Sequence, residues 1–539
     1  MSTAKAETIL TGGPIFLGLA HGFTEALAIG NGRVLASGTR AELDGLIGPQ
    51  TRVIELAGRA AVPGFNDGHQ HMLLYGLEQS EVNLHPSRLK SLAALQQAIA
   101  ERAAQTPKNG WILGRRYDHF HLDVARHPTR EDLDAAAPDH PVYITRTCGH
   151  VGVANSAALA LAGVDEDSSD PPGGEIQRDG GRLTGVLFET AQDFIKAVLP
   201  PLSQAQMVAA LETAGGIFLA QGITSVTDAG LGLRQKFDDY LAYQAARAAG
   251  RLPLRVYLAL TGGPGGIQEE AAAAGLMTGQ GDERLKIGPV KLFADGSAGG
   301  KTAAMTLPYI CACQNRGLFV YDGAELDDWV ARYHAAGYQV AVHAIGDAAI
   351  DQALTAVERA LQRHPAEGRR HRIEHCGFTR GDQIQTMARL GMVPAPQPIF
   401  LYEFGELYVE VLGEERPAAA YPMRSWMNAC LLPIASSDTP VSDFSPMKNL
   451  YSMTTRKTDR GRVLGEAERL SLEEAVSALT LNGAYGSFSE SEKGTLTVGS
   501  LADIAVLDRD IFATEADELL ETRVDLTLLE GALVHERER

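Results

Sequence analysis

Residues 62–76 read VPGFNDGHQHMLLYG: an apolar run, an Asp-Gly turn signal and two histidines one residue apart. Residues two apart on an extended strand share a side, so His69 and His71 project together from the strand's carboxyl end. Two imidazoles placed this way can begin a metal site. A pair of surface histidines beside a turn is the competing reading, and an HxH motif alone does not separate the two. The surrounding chain decides.

Working outward, the same style of segment recurs. GITSVTDAG (222–230), LRVYLAL (254–260), VKLFADG (290–296), YQVAVHAIGD (338–347), HRIEHCG (371–377), MVPAPQP (392–398) and LPIASSDTP (432–440) are mostly separated by amphipathic helical stretches such as ELDDWVARYHAAG and DAAIDQALTAVERALQRH. With RAAVPGF at the start this makes eight strand candidates in strand–helix alternation, the pattern of a parallel α/β sheet or a TIM-like (β/α)8 barrel. A doubly wound sheet is the competing architecture. Eight units, with polar residues at the strands' carboxyl ends, favour the barrel.

The flanks differ from this middle. ETILTGG, ALAIGNGRVLASG and TRVIELAGRAAV near the start, and GTLTVGSLADIAVLDRD and DLTLLEGALVHE near the end, read as short strands around Gly and Asp turns. They predict a β-sandwich domain built from both termini, residues 1–60 with 490–539. The barrel is then 61–76 with 222–489. The connection over 77–221 is too long for one strand–helix link and predicts an inserted α/β subdomain that forms much of the substrate pocket.

Composition narrows the class. The 539 residues are 45% hydrophobic and carry a formal net charge of −19, which disfavours nucleic acid or an anionic membrane as the main partner. No apolar stretch reaches the roughly 18 residues of a membrane span, and the start lacks the pattern of a signal peptide, so a soluble cytoplasmic protein is expected. Cys148, Cys311, Cys313, Cys376 and Cys430 are scattered and lack zinc-knuckle or CxxC spacing; they read as reduced thiols. A small-molecule substrate is the expected partner, with a homodimer allowed for.

Barrel enzymes carry their chemistry at the strands' carboxyl ends. In this chain those ends hold His69 and His71, then Lys291, His343, His375 and Asp438. Neutral imidazole and carboxylate suit zinc and similar divalent ions. Singly, His343 or His375 reads as a core or capping residue; together, at five strand ends, they read as a ligand set. Asp228 and Gln397 sit on the same rim, where support of ligands or contact with substrate are the alternatives. Lys291, Phe293 and Asp295 share a face by the two-residue period, so Lys291 and Asp295 are both expected to point inward.

The order HxH, Lys, His, His, Asp between two terminal β segments resembles the amidohydrolase superfamily of metal-dependent hydrolases. VPGFNDGHQH, CGHVGVANSAAL, GGEIQRD, GITSVTDAG, VKLFADGSAGGKTAA, VAVHAIGDAAID, HRIEHC, SSDTPV and GTLTVGSLADIAVLD are similar to amidohydrolase family 3, the YtcJ-like and N-substituted formamide deformylase-like group. The resemblance implies one or two divalent metals, most simply zinc, held by His69, His71, Lys291, His343, His375 and Asp438. It implies carboxylation of Lys291, whose amine must lose its proton and add CO2 before it can bridge two cations; a buried salt bridge is the alternative role of that lysine. Asp438 would be the proton carrier, and His150 a catalytic, substrate-contacting histidine or a structural one. Tyr117 and Asp118, in GRRYDHF where relatives commonly have Gly and Trp before the Asp, are expected at the pocket wall with Asp295 and Gln397.

The expected reaction is hydrolysis of an amide-type, non-peptide C–N bond, such as an N-formyl or N-acyl amine. A lactam, carbamate or carboxyl ester is the alternative for the same site. A non-catalytic binding barrel is the remaining reading, disfavoured because no ligand position is lost.

Overall fold

The computed structural model describes residues 5–86, 88–147, 151–310 and 314–538. At its centre is a parallel sheet of seven strands: β1 (Phe65–Gln70), β2 (Ile223–Leu231), β3 (Arg255–Thr261), β4 (Leu285–Phe293), β5 (Val340–Ala344), β6 (Arg372–His375) and β7 (Val393–Ala395), paired in chain order. Every residue of β2 and β3 is buried, as expected for strands covered on both faces. The helices between them bury one stripe each. Over Asp347–Arg363, Ala349, Ile350, Ala353, Leu354, Ala356, Val357 and Ala360 face inward at helical spacing.

The eighth strand candidate is not a regular strand, yet it occupies the eighth position. Between β7 and β1, Ile434 N donates to Pro394 O (2.9 Å), Asp438 N to His69 O (2.8 Å) and His71 N to Thr439 O (2.9 Å). The segment 432–440 therefore bonds to both neighbours and all but closes the ring, giving a TIM-barrel-like α/β fold. Pro433 and Pro440 lack N–H donors, and Asp438 has a φ of 60°; a continuous ladder is thus ruled out. Gly68 permits the close approach, since a Cβ there would lie 2.0 Å from Ile434 Cγ2.

Strands from both chain ends share a second sheet of eight strands. Its path runs Ala532–Glu536, Val524–Leu529, Ile504–Leu507, Ala61–Pro63, Thr8–Gly18, Gly22–Gly30, Arg33–Gly38, with Arg52–Glu55 beside Thr8–Gly18. Leu10, Ile15, Leu27, Ile29, Leu496, Ile504, Val506 and Leu528 form its core.

The chain divides into two compact units, residues 1–75 with 207–539, and residues 76–206. The second holds a six-stranded sheet, Val82–Asn83 to Arg182–Glu189 and Gly174–Asp179, with its own cores around Ile99, Ile112, Leu133 and Ile144 and around Leu159, Leu187 and Ile195. It ends before most of the helix Gln204–Leu219, which the sequence reading placed in the insertion; that helix buries Met207, Val208, Leu211, Ala214 and Phe218 within the first unit. Among the described residues no helix is long and apolar enough to cross a membrane.

Candidate metal centre at the carboxyl ends of the barrel strands

The two-residue period of β1 turns Asp67, His69 and His71 to one side, and the closing segment brings Asp438 to meet them. Asp438 Oδ1 lies 3.3 Å from His69 Nε2 and 3.2 Å from His71 Nε2. His375 leaves the strand conformation with a φ of 69° and its ring centre stands 4.9 Å from that of His69. One ligand atom from each of His69, His375 and Asp438 falls within 4.8 Å of the others, and all three residues are buried. The ring of His343 is 4.4 Å from that of His375.

The imidazoles of His69, His375 and His343 are oriented from behind. His69 Nδ1 donates to the Glu374 carboxylate. Arg372 grips that carboxylate with Nε (2.7 Å) and Nη2 (2.9 Å) and also donates from Nη2 to Gly68 O at 2.7 Å. Fixing Nδ1 aims Nε2 at the shared centre. His375 Nδ1 donates to Gln397 Oε1 at 2.5 Å, and Gln397 Nε2 donates to Ser436 Oγ at 2.9 Å. His343 instead spends Nε2 on Gly296 O (3.1 Å), beside Asp295 Oδ1 (3.3 Å), which leaves its Nδ1 for the centre.

The electrostatics suit a cation. Burial, with His343 alongside, holds His375 well below the usual imidazole range, so it stays neutral as a ligand must. Burial opposes ionisation of Asp438, but hydrogen bonds from His69 and His71 outweigh it and keep the carboxyl far below its ordinary range. Glu374 is likewise held low against burial by Arg372 and His69. Burial pushes the Lys291 ammonium, 1% exposed at the end of β4, down to about 8. Its Nζ lies 5.1 Å from the Phe293 ring centre, and among the described residues no carboxylate approaches it within 4.0 Å. The salt-bridge role left open for Lys291 is therefore absent. A neutral His375, an ionised Asp438 and an amine inclined to lose its proton fit a divalent metal.

Several residues expected at the pocket already have partners of their own. Gln397 is fully buried with both ends of its amide engaged, so it positions His375. Asp295 lies past the end of β4 and accepts backbone N–H groups from Ala304 (2.9 Å), Ile345 (3.0 Å) and Gly346 (2.8 Å); this brace occupies both carboxylate oxygens. Tyr117 is buried in a core of the second unit, its hydroxyl 2.9 Å from His127 Nδ1. Asp118, in the same unit, receives Arg146 Nη2 at 3.1 Å and Phe120 N at 3.2 Å. His150 lies outside the described residues. Asp228 accepts from the Tyr243 hydroxyl and from Leu73 N at 3.2 Å, a supporting position behind β1.

Glu374, Arg372 and Asp67 went unread in the sequence. Asp67 receives Ser437 Oγ (2.5 Å) and Ser437 N (3.0 Å), tying β1 to the closing segment. Burial, partly offset by those bonds, raises it to about 7. The signal was available: Asp67 precedes HxH by two residues, and Arg372 and Glu374 in HRIEHC share the inward face of β6.

A match to the Amidohydrolase family runs over residues 52–535. The chain belongs to the Amidohydrolase family. It is 31% identical over 540 residues to YtcJ of Bacillus subtilis (strain 168), which covers 98% of this chain and 100% of that protein. It is 29% identical over 523 residues to N-substituted formamide deformylase of Arthrobacter pascens, covering 95% of each. Among solved structures, an uncharacterized metal-dependent hydrolase from Pyrococcus horikoshii OT3 superimposes with a TM-score of 0.78 at 27% identity, over 95% of this chain and 99% of that one.

Proposed function

We propose that this protein is a metal-dependent hydrolase that cleaves an amide-type, non-peptide C–N bond, with an N-formyl or N-acyl amine as substrate. The observation that carries the reading is the convergence of His69, His375 and Asp438 on one buried point, with His71 and His343 beside them. The similarity to a formamide deformylase supports the bond type.

His69, His71, His343, His375 and Asp438 would hold one or two divalent ions, zinc being the ion this nitrogen and oxygen set suits. Lys291 would join them after its neutral amine adds CO2, forming an N–C bond and releasing one proton to give a carbamate. Such an ion supplies a Lewis acid for the carbonyl and lowers the pKa of water toward 7. Asp438, on the closing segment beside His69 and His71, takes the proton of the attacking water and passes it to the departing nitrogen, as a general base and then acid. Glu374 and Gln397 keep the rings of His69 and His375 from rotating during that transfer.

The test is metal content per chain together with hydrolysis of matched N-formyl, N-acyl, lactam, carbamate and ester compounds by metal-loaded protein. Turnover of the formyl or acyl amines, lost on chelation and restored by zinc or manganese, is expected. A chain that takes up no metal, or that hydrolyses only esters, overturns the proposal.

A further inference from the structure

The loop between β4 and the helix Gly323–Ala335 carries five exposed large apolar side chains, Leu307, Ile310, Leu318, Phe319 and Val320. Three are consecutive: Leu318 is 50% exposed, Phe319 49% and Val320 46%. Side chains alternate sides along an extended segment, so a segment packed on one face buries every second residue. This one buries none of the three and stands as a ridge. It is nevertheless pinned, for Leu318 N donates to Thr302 O (3.1 Å) and Val320 N to Ala294 O (2.8 Å), and Phe319 forms a bridge with Asp295. Leu307, 60% exposed, widens the ridge from the neighbouring stretch, where Met305 N donates to Arg316 O (2.7 Å) and Tyr309 N to Asn315 O (2.8 Å). A fixed backbone that presents a run of apolar groups to water marks an interaction surface.

The charges beside the ridge indicate what covers it. Arg316 stands three residues before Phe319 and Asp322 three residues after, and both are exposed. Arg316 donates to Thr306 O, and Asp322 accepts Glu325 N at 2.8 Å. Among the described residues neither has an oppositely charged partner within 4.0 Å. Laid antiparallel on its own copy about Phe319, the segment sets Leu318 of one copy against Val320 of the other and Arg316 against Asp322, each contact occurring twice. An apolar centre with opposite charges at equal distances is thus its own complement. At a net charge of −19 two copies repel at long range, so their association has to rest on an uncharged contact, and residues 317–321 carry no charge.

We infer that this ridge is the centre of a two-fold interface between two copies of this chain, with Phe319 on the axis and an Arg316 to Asp322 ion pair at each end. The loop that follows Lys291 would then be braced from outside as well as by Asp295.

Sedimentation velocity of the full chain over a range of concentrations tests this. The wild type should reach the mass of a dimer, and Phe319→Asp should raise the dissociation constant at least roughly a hundredfold. Arg316→Glu and Asp322→Lys should each raise it roughly tenfold, since each puts like charges together at two places. Both exchanges in one chain reverse the ion pairs without removing them, and should return the constant to within about threefold of the wild type. Asp322→Asn keeps the acceptor for Glu325 N and should weaken the dimer by itself, which decides the matter if Asp322→Lys does not fold. A wild type that is monomeric at every concentration overturns the inference. So does a dimer that survives Phe319→Asp unchanged, and a double exchange that recovers nothing overturns the two-fold pairing.

Discussion

At the scale of single residues, the centre depends on groups that stand behind its imidazoles. Glu374 fixes the nitrogen that His69 presents, and outer partners of this kind typically change metal affinity or activity 10- to 100-fold. Glu374→Gln should therefore weaken zinc binding by roughly that factor, measured by competition with a chromophoric chelator, while the chain stays folded. Unchanged affinity would remove Glu374 from the site. Lys291 yields an opposite pair of outcomes. In metal-free protein Lys291→Met replaces a buried amine, which Glu374 and Asp438 attract without a direct ion pair, with an apolar chain, and should raise unfolding stability by roughly 1 to 3 kcal/mol where burial outweighs that attraction. In loaded protein the same change should lower metals per chain; full metal content in Lys291→Met would refute the carbamate. These roles show how far residue patterns reach. The convergence of His69, His375 and Asp438 was legible because strand ends and two-residue spacing are written in the chain. Gln397 could be set on the supporting rim, but which ring it holds could not be read, and Glu374 was missed altogether, because each acquires its function only from which ring nitrogen folding sets against it.

At the scale of elements, the strand–helix alternation was legible in hydrophobic period, whereas the closing segment was not, since its prolines and the left-handed Asp438 let it bond to two strands without forming a ladder. One contact between elements makes a pH prediction. Val340 N donates to His371 Nδ1 (2.9 Å), which places the proton of His371 on Nε2, facing His334 Nδ1 (2.9 Å); His334 Nε2 then donates to His364 O (2.6 Å). Every nitrogen in this relay has a fixed task that leaves no place for another proton, and burial, with His334 adjacent, lowers His371 to about 3. The unfolded chain takes up that proton below about 6.5 and the folded one does not. The contribution to stability is thus full above pH 6.5 and is lost as pH falls toward 3, by roughly 5 kcal/mol at most. Urea unfolding of metal-free protein between pH 7 and 4 should fall less steeply in His371→Asn, which keeps an acceptor for Val340 N. Parallel slopes in the two proteins would show that the relay does not titrate.

At the scale of the whole molecule, similar short strands at both ends announced a shared β assembly, and one sheet contains them. Its strand order was beyond reach, because it rests on pairings hundreds of residues apart. Its junction with the barrel is ionic: Arg255, 2% exposed on β3, is held by Asp503 and Glu530 of the terminal sheet. Arg255→Met leaves Asp503 buried without its partner and should lower unfolding stability by roughly 3 to 5 kcal/mol. Adding Asp503→Leu should recover part of that loss. Strict additivity in denaturant unfolding would mean that the pair does not couple the two bodies.

The pairing of Ala61–Pro63 with Ile504–Leu507 also bears on how the molecule is made. A ribosome adding roughly 5 to 20 residues per second leaves the early strands without their neighbour for tens of seconds. Throughout that interval the nascent chain displays an open, apolar strand edge, the kind of surface that chaperones hold and that crowded translation turns into aggregates. Slowing synthesis early in the message should therefore cost little soluble protein, and slowing it just before codon 504 should cost most.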